Sequence, residues 1–281
     1  MKSIGVIGAG IMGSGIAQVC AQTGLDVALF DTREAAAHSA VASIDNRMHQ
    51  LVVKGAIDSS TATATVNRVQ VATNIVDLGG CDIVIEAATE HFETKRQILN
   101  DIENATPADL TIATNTSSIS ITKLGSALRA PERLVGMHFF NPVPLMGLVE
   151  VIPGLRSSPT SLARARELIA QLGKTAIDVK NSPGFVVNRI LVPMLNEAIT
   201  VLQEGLASAA DIDAGMKLGA NHPIGPLALA DMVGLDTLLA AMDTLYRDFS
   251  DPKYRAAPLL REMVDAGLLG RKSSKGFYSY G

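Results

Sequence analysis

His138 lies at the end of an apolar run, Leu134–Phe139. Its imidazole could serve as a general base or acid, because histidine exchanges protons near neutral pH. Glu150 lies inside a second apolar run, Leu148–Ile152, where a buried carboxylate requires a partner. If the two runs form a hairpin-like pair of strands, Glu150 meets His138 and holds its ring in one tautomer. The spacing fits equally well a structural core histidine beside an unrelated buried acid.

The first 31 residues carry a second chemical pattern. An apolar run, Lys2–Ile7, leads into GAGIMG at Gly8–Gly13 and then into a helix-like stretch, Ser14–Thr23. A second apolar run, Val27–Phe30, ends in Asp31, which follows the last glycine of GAGIMG by 18 residues. A glycine pattern between a strand and a helix, with an acid at this distance, is typical of dinucleotide-binding folds.

Each residue type in this pattern has a physical role toward a dinucleotide. Gly8 allows the tight turn, Gly10 lets the backbone approach a pyrophosphate, and Gly13 lets helix and strand pack closely. The helix N-terminus offers N–H groups and partial positive charge to the phosphates. Asp31 would accept hydrogen bonds from the adenosine ribose, which favours NAD over NADP. The predicted contacts in this region are Gly8, Gly10, Ile11, Met12, Gly13 and Asp31.

The elements that must position these residues alternate along the first part of the chain. Beyond Asp31 we predict strands over 69–73, 82–87, 110–115, 134–139, 148–152 and 175–179, with helices over 34–55, 58–68 and 91–104. This alternation predicts a Rossmann-type, doubly wound and mostly parallel α/β sheet whose last strands run antiparallel. After residue 183 the pattern becomes helical, over 185–204, 212–218, 227–232, 237–249 and 259–266.

We therefore predict two domains, a cofactor-binding domain over 1–183 and an all-helical domain over 184–281. The helix after Phe185 is apolar nearly all round, which is typical of a helix buried on several sides. This pattern predicts a homodimer formed through the helical domain.

Composition restricts the class of protein. The 281 residues include 47% apolar and 19% charged side chains with a net charge of −4, which argues against a broad nucleic-acid or anionic-membrane surface. Ser3–Leu25 has no charged residue, but its glycines argue against a membrane span. The two cysteines form no metal or redox motif, and no metal site is predicted. We expect an unprocessed, cytoplasmic protein.

Longer motifs extend over nearly the whole chain. With these motifs the sequence resembles the 3-hydroxyacyl-CoA dehydrogenase family, and most closely its short bacterial members. The motifs are GVIGAGIMGSGIA, DIVIEAATE, NTSSISI, HFFNPVPLMGLVEVI, KNSPGFVVNRIL, GANHPIGPLALADMVGLDT and KSSKGFYSY. The resemblance implies that NAD(H) interconverts (S)-3-hydroxyacyl-CoA and 3-oxoacyl-CoA by hydride transfer, with 3-hydroxybutyryl-CoA and acetoacetyl-CoA as the expected pair.

The resemblance also implies residue roles. His138 matches the general base or acid, and Glu150 matches its partner. Ser117 and Asn188 match residues that bind the substrate near the reacting oxygen and the thioester. Lys54 and, more weakly, Arg47 are candidates for the CoA phosphates. The remaining cofactor residues implied are Ala88, Glu90, Lys95, Asn115, Ser117, Asn141 and Lys275, of which Glu90 and Lys95 are expected to line the cleft.

Two other functions remain open at this stage. One is a dehydrogenase of free 3-hydroxy acids or a crystallin-like relative. Such an enzyme needs a cation for the carboxylate, and many use a catalytic lysine. The other is an NAD-binding scaffold without turnover. The histidine–glutamate arrangement and the NTSS segment favour a thioester substrate.

Overall fold

A computed structural model describes all 281 residues and divides them into two compact units, Met1–Ser182 and Pro183–Gly281. The first unit is an eight-stranded sheet with helices, and the second is helical. None of the helices combines the length and the hydropathy that a transmembrane segment requires. The predicted fold class, a mostly parallel sheet followed by helices, is confirmed.

The strands are short and mostly buried, as apolar runs between two helical layers should be. They are β1 (Ser3–Ile7), β2 (Asp26–Phe30), β3 (Val69–Val71), β4 (Ile83–Glu86), β5 (Thr111–Thr114), β6 (Leu134–Phe139), β7 (Leu148–Pro153) and β8 (Thr175–Asp178). Their order in the sheet is β3-β2-β1-β4-β5-β6-β7-β8. The chain therefore winds outward from β1 in both directions, as in a doubly wound fold.

The helices of this unit follow the strands. They are α1 (Ile11–Gln22), α2 (Glu34–Val53), α3 (Ser59–Asn67), α4 (Phe92–Ala105), α5 (Ile121–Gly125) and α6 (Pro159–Gln171). Helix α1 begins at Ile11, three residues earlier than predicted, so that its first turn lies inside the glycine pattern. Helix α6 was not predicted; Ser158 caps it by accepting the Ser161 N–H, and Pro159 opens its first turn.

Six strands, β1 to β6, run in one direction, so their carboxyl ends meet at the same edge of the sheet. Strand β7 pairs antiparallel with β6, and β8 then pairs parallel with β7. Strands β7 and β8 therefore both run opposite to the other six strands, and the reversal predicted for the last strands occurs between β6 and β7. Because a parallel sheet binds ligands at its carboxyl edge, this edge is the place to search for a site.

The second unit contains five helices around a core of its own. They are α7 (Val187–Gln203), α8 (Ala209–Gly219), α9 (Pro226–Val233), α10 (Leu235–Phe249) and α11 (Pro258–Asp265). One face of α7 contributes to this core, with Leu195 and Ile199 fully buried, whereas Ile190 on the same helix is 66% exposed.

Two buried carboxylates organise the second unit. Asp213 accepts the backbone N–H groups of Leu227 and Ala228 at the start of α9. Asp231 accepts the N–H groups of Phe277 and Tyr278 at 3.0 Å each and the hydroxyl of Tyr280 at 2.9 Å. The C-terminal segment is therefore attached to α9 through a single carboxylate that is almost fully buried.

We predict that Asp231→Ala lowers the free energy of unfolding of the second unit by about 3 kcal/mol, because it leaves two N–H groups and a hydroxyl without an acceptor. Urea unfolding followed by circular dichroism measures this loss. Asp243→Ala is the matched control, since Asp243 forms an exposed ion pair with Arg261 and its removal should cost less than about 1 kcal/mol. Equal losses in the two variants would contradict the prediction.

Candidate active site

The glycine turn between β1 and α1 has a shape that side chains would disrupt. Gly8 has φ +98°, and a Cβ atom built on it would lie 2.5 Å from Cα of Ala88. A Cβ atom on Gly13 would lie 1.7 Å from the carbonyl oxygen of Gly8. Gly10, in contrast, faces open space with no atom within 4 Å of such a Cβ. The turn is therefore closed toward the protein and open on the side where a ligand would approach.

Helix α1 presents its positive end at this open side. Gly10 is its N-cap, no side chain caps the helix, and its first turn contains no acidic residue. The first N–H groups of a helix lack partners within the helix, and with the helix dipole they form a site for a phosphate group. Open backbone at Gly10 and the free end of α1 together fit the pyrophosphate of a dinucleotide.

Asp31 directly follows β2 and is hydrogen-bonded to the glycine turn. Its Oδ2 atom accepts the N–H of Ala9 at 2.9 Å, and its Oδ1 atom accepts the N–H of Arg33 at 2.9 Å. These bonds orient the carboxylate while each oxygen keeps a further lone pair for a ribose hydroxyl. Asp31 therefore stabilises the turn in addition to the ribose contact predicted from the sequence.

A cavity of about 590 Å³ lies between the turn and α2. Its lining includes Gly10, Ile11, Ser14, Arg33, Ser43 and Arg47. The Nε atom of Arg47 donates to Gln18 at 2.6 Å, whereas its buried Nη2 atom has no hydrogen-bond partner. Burial lowers the pKa of this guanidinium. An unpartnered buried N–H group beside a cavity is suited to an anionic ligand.

Strands β6 and β7 place His138 directly opposite Glu150. Nδ1 of the imidazole lies 2.7 Å from Oε2 of the carboxylate. Glu150 has no exposed surface and His138 is 6% exposed, so the pair lies in a low-dielectric environment. Phe140 packs beside the imidazole with 4.5 Å between ring centroids. The structure thus joins the two residues that sequence spacing alone could not pair.

Polar residues at the end of β5 lie next to this pair. Oδ1 of Asn115 accepts the N–H of Phe139 at 2.9 Å, which ties the end of β5 to the end of β6. Glu90 accepts the N–H of Ser117 at 2.5 Å and its hydroxyl at 2.7 Å, and it also accepts the hydroxyl of Thr116. Glu90 and Ser117, both predicted from the sequence, therefore form one unit.

Lys95, which the resemblance places among the residues lining the cofactor and substrate cleft, is buried, and its side chain has no exposed surface. Its ammonium group donates to Glu86 at 2.5 Å and to Thr114 at 3.2 Å. The physical reason is that α4 packs over the ends of β4 and β5, where Glu86 is a buried carboxylate that needs a counter-charge.

The sequence analysis missed Glu86 and Thr114, although the signal for Glu86 was available. Glu86 ends the apolar run IVIE, and the argument that singled out Glu150 inside its own apolar run applies equally to this residue. Thr114 gave no such signal, because threonine is common in buried strands.

Lys174 is another residue that the sequence did not point to. Its ammonium group donates to the carbonyl oxygens of Val143 at 2.8 Å and Met146 at 2.6 Å, and burial lowers its pKa. Val143 in turn fills the space beside Gly15 on α1. Lys174 therefore holds the connection between β6 and β7, which carries Asn141, against the first helix.

The remaining predicted residues lie on several elements. Asn141 is exposed and follows β6, and Lys54 is exposed at the end of α2 outside the cavity lining. In the second unit, Asn188 is half-buried in the first turn of α7. Lys275 is exposed in the C-terminal segment, where its carbonyl oxygen accepts the N–H of Gly270.

Comparison with known families explains this arrangement. Residues 3–182 match the NAD-binding domain of 3-hydroxyacyl-CoA dehydrogenase, and residues 184–280 match the C-terminal domain of the same enzyme. The chain belongs to the 3-hydroxyacyl-CoA dehydrogenase family. The resemblance inferred from the motifs is therefore confirmed, as are its enzymatic class, an NAD-dependent dehydrogenase, and its cofactor, NAD.

Several members of this dehydrogenase family are similar over their full length. A 3-hydroxybutyryl-CoA dehydrogenase of Clostridioides difficile is 47% identical, with 99% of each chain covered. One of Bradyrhizobium diazoefficiens is 46% identical, covering 100% of this chain and 96% of that protein. The crystal structure of (S)-3-hydroxybutyryl-CoA dehydrogenase PaaH1 from Ralstonia eutropha has a TM-score of 0.97 at 54% identity, covering 100% of this chain and 99% of that one.

We predict that Asp31→Ala raises the Kd for NADH by roughly 30-fold, because hydrogen bonds to a charged group contribute about 2 kcal/mol. Fluorescence titration of NADH measures the change without any substrate. Asp26→Ala is the control, since Asp26 is exposed at the opposite end of the same strand. Unchanged NADH binding in Asp31→Ala would remove Asp31 from the cofactor site.

Proposed function

We propose that this protein interconverts (S)-3-hydroxybutyryl-CoA and acetoacetyl-CoA with NAD(H). The observation that carries the proposal is the buried pair of His138 and Glu150, held by antiparallel strands at the edge of the sheet that binds the cofactor. The names of the full-length relatives support this substrate pair.

The glycine turn, the N-terminus of α1 and the Asp31 carboxylate have the shape and the hydrogen-bonding groups that NAD requires. The open backbone at Gly10 and the N-terminus of α1 accept the pyrophosphate, and Asp31 accepts the adenosine ribose. We place Ile11, Met12, Ala88, Glu90, Lys95, Asn115, Ser117, Asn141 and Lys275 among the cofactor contacts by their match to the family. When bound, NAD supplies the hydride acceptor for oxidation and, as NADH, the donor for reduction.

His138 moves the proton of the reaction. Because Nδ1 faces Glu150, Nε2 is the atom that takes the proton from the C3 hydroxyl group of the substrate. Glu150 keeps the ring in this tautomer and stabilises the imidazolium that forms, in the way that a buried aspartate supports the histidine of a catalytic triad. In the reverse direction the imidazolium returns the proton to the C3 oxygen.

Other groups hold the substrate. Ser117 and Asn188 bind near the C3 oxygen and the thioester by their match to the family. Arg47 offers its unpartnered Nη2 atom to a CoA phosphate, and Lys54 adds a second cation at the end of the same helix. These two cations supply locally the positive charge that a protein with a net charge of −4 lacks as a whole.

We further propose a cytoplasmic homodimer formed through the second unit. The support is the exposure of large apolar side chains on this unit, including Ile190, Leu218 and Met232. We expect analytical ultracentrifugation to give twice the chain mass of 29.5 kDa. A monomer at micromolar concentration would contradict this part of the proposal.

The first experiment is the initial rate of NADH oxidation with acetoacetyl-CoA, with NADPH and with free acetoacetate in parallel. We expect rapid turnover with NADH and the thioester and weak turnover with either replacement. Preference for free acetoacetate would overturn the substrate class, and strong use of NADPH would overturn the role of Asp31. Binding of NADH without any turnover would favour a scaffold.

We predict that His138→Gln lowers kcat by about 10³-fold and that Glu150→Gln lowers it by roughly 10²-fold, because both variants lose the proton transfer or its support. The Kd for NADH should change by less than about twofold, since neither residue belongs to the cofactor turn. Stopped-flow turnover and fluorescence titration measure the two quantities.

His38→Gln is the control for these variants, because His38 is an exposed histidine on α2 that pairs only with Glu34. Loss of NADH binding together with activity in His138→Gln would indicate a structural role for His138. Full activity in Glu150→Gln would remove Glu150 from the mechanism.

A further inference from the structure

The β6–β7 connection, residues 140–147, continues the chain just beyond His138. Val143 is the only buried residue in it. The N–H of Met146 donates to the carbonyl oxygen of Pro142 at 3.1 Å, which folds the middle of the connection into a single helical turn. Because the connection has little core of its own, its position depends on contacts from other elements.

Lys174 supplies polar contacts that hold this connection. It lies between α6 and β8, and its ammonium group donates to the carbonyl oxygens of Val143 at 2.8 Å and Met146 at 2.6 Å. Carbonyl oxygens at the end of a helical turn lack partners within the turn and carry partial negative charge, so a cation is favourable there. The next residue, Thr175, donates its N–H to the carbonyl oxygen of Gly147 at 2.7 Å and so holds the far end of the connection.

The connection touches both the cofactor helix and the imidazole. A Cβ atom built on Gly15 of α1 would lie 2.9 Å from Cβ of Val143, so the two segments are in close contact. At the other end, Phe140 packs against the ring of His138 with 4.5 Å between centroids. The connection thus lies between the helix that begins at the cofactor turn and the proton-transfer residue, and Lys174 fixes it there.

The order of the strands indicates which half of the cofactor the connection faces. Asp31, the proposed ribose acceptor, follows β2, whereas His138 lies on β6, with β1, β4 and β5 between them. Four strand spacings of about 4.8 Å separate β2 from β6 by roughly 19 Å. A dinucleotide extends along the carboxyl edge of such a sheet, and its hydride must be transferred close to the proton acceptor. The adenosine half therefore belongs at β2 and the nicotinamide half near β6.

We propose that Lys174 is a positioning residue for the nicotinamide half of the cofactor site. By bridging two carbonyl oxygens, it holds the β6–β7 connection at the position relative to α1 that the nicotinamide ring and the imidazole require. The required feature is a cationic donor that reaches both oxygens. This role rests on the proposed function, since it presumes hydride transfer beside His138.

Two ligands, one with and one without the nicotinamide ring, test this role. NADH carries both halves of the dinucleotide, whereas ADP-ribose carries the adenosine half and the pyrophosphate alone. Lys174→Met keeps the apolar stem and removes the donors. We expect its Kd for NADH to rise at least about fivefold and its Kd for ADP-ribose to change less than about twofold. We expect kcat to fall at least about tenfold, because a small misplacement of reacting groups is costly. Isothermal titration calorimetry and steady-state turnover measure these quantities.

Arg166→Met is the matched control. Arg166 lies on α6 and forms an exposed ion pair with Asp178 of β8, so this variant removes a cation from the two elements that flank Lys174. Both Kd values and kcat should stay within about twofold of the parent. Lys174→Arg is the rescue variant, because a guanidinium group also carries enough N–H donors for two carbonyl oxygens. Its kcat and its Kd for NADH should lie within about threefold of the parent.

Three outcomes would overturn the role of Lys174. Equal weakening of NADH and ADP-ribose binding in Lys174→Met would indicate a general loss of structure. Parental NADH binding and turnover in this variant would show that the connection keeps its position without the lysine. A defect in Lys174→Arg as large as that in Lys174→Met would show that the bridging donors are not the required feature. Should Lys174→Met not fold, Lys174→Gln, with a shorter neutral donor, takes its place in the same comparison.

Failure of the proposed function and failure of this role give different results. Both ligands are titrated without substrate, so absence of turnover in the parent protein would defeat the proposed function and leave the comparison of NADH with ADP-ribose intact. Normal turnover in the parent, together with parental NADH binding and kcat in Lys174→Met, would defeat the role of Lys174 alone.

Discussion

The hydrogen-bonded pairing of β6 with β7 places the ionisable groups of His138 and Glu150 opposite each other inside a core where neither is solvated. In an antiparallel pair, opposed residues share one face of the sheet, and a slip by one residue would turn one of the two to the other face. The register of these strands is therefore the constraint on which the proposed proton transfer depends. Lys174 reinforces it by holding the connection between the strands through two carbonyl oxygens.

The carboxyl edge of the sheet concentrates buried charge in a second place. Glu86 and Lys95 form a buried ion pair near the cofactor turn. Glu90 accepts the backbone N–H and the hydroxyl of Ser117, which follows β5. Parallel strands end at a common edge, so polar residues that follow different strands converge there without being close in sequence. The result is a set of short polar segments, each oriented by a carboxylate that accepts backbone N–H groups.

Much of this architecture could be predicted from local patterns. The glycine turn, Asp31 and most strands follow from periodicity and turn residues, because these depend on neighbours within a few positions. Helix α6 was missed, and α1 begins earlier than predicted, since its first turn consists of the residues read as the glycine turn. Most residues of the proposed site were named in advance, but Glu86, Thr114 and Lys174 were not. Lys95, expected to line the cleft, is buried against Glu86.

The sequence by itself determined the family, the cofactor and the residue types available for chemistry, because each of these is carried by contiguous motifs. Only the tertiary structure decided which of those residues meet. On spacing alone, His138 and Glu150 were equally compatible with a catalytic pair or with two unrelated core residues; the family resemblance favoured the pair, and the register of β6 and β7 joins them. Glu86 and Lys95 become a pair only when α4 packs over the strand ends. In both cases the deciding interaction is a buried charge satisfied across separate elements, which local spacing does not encode.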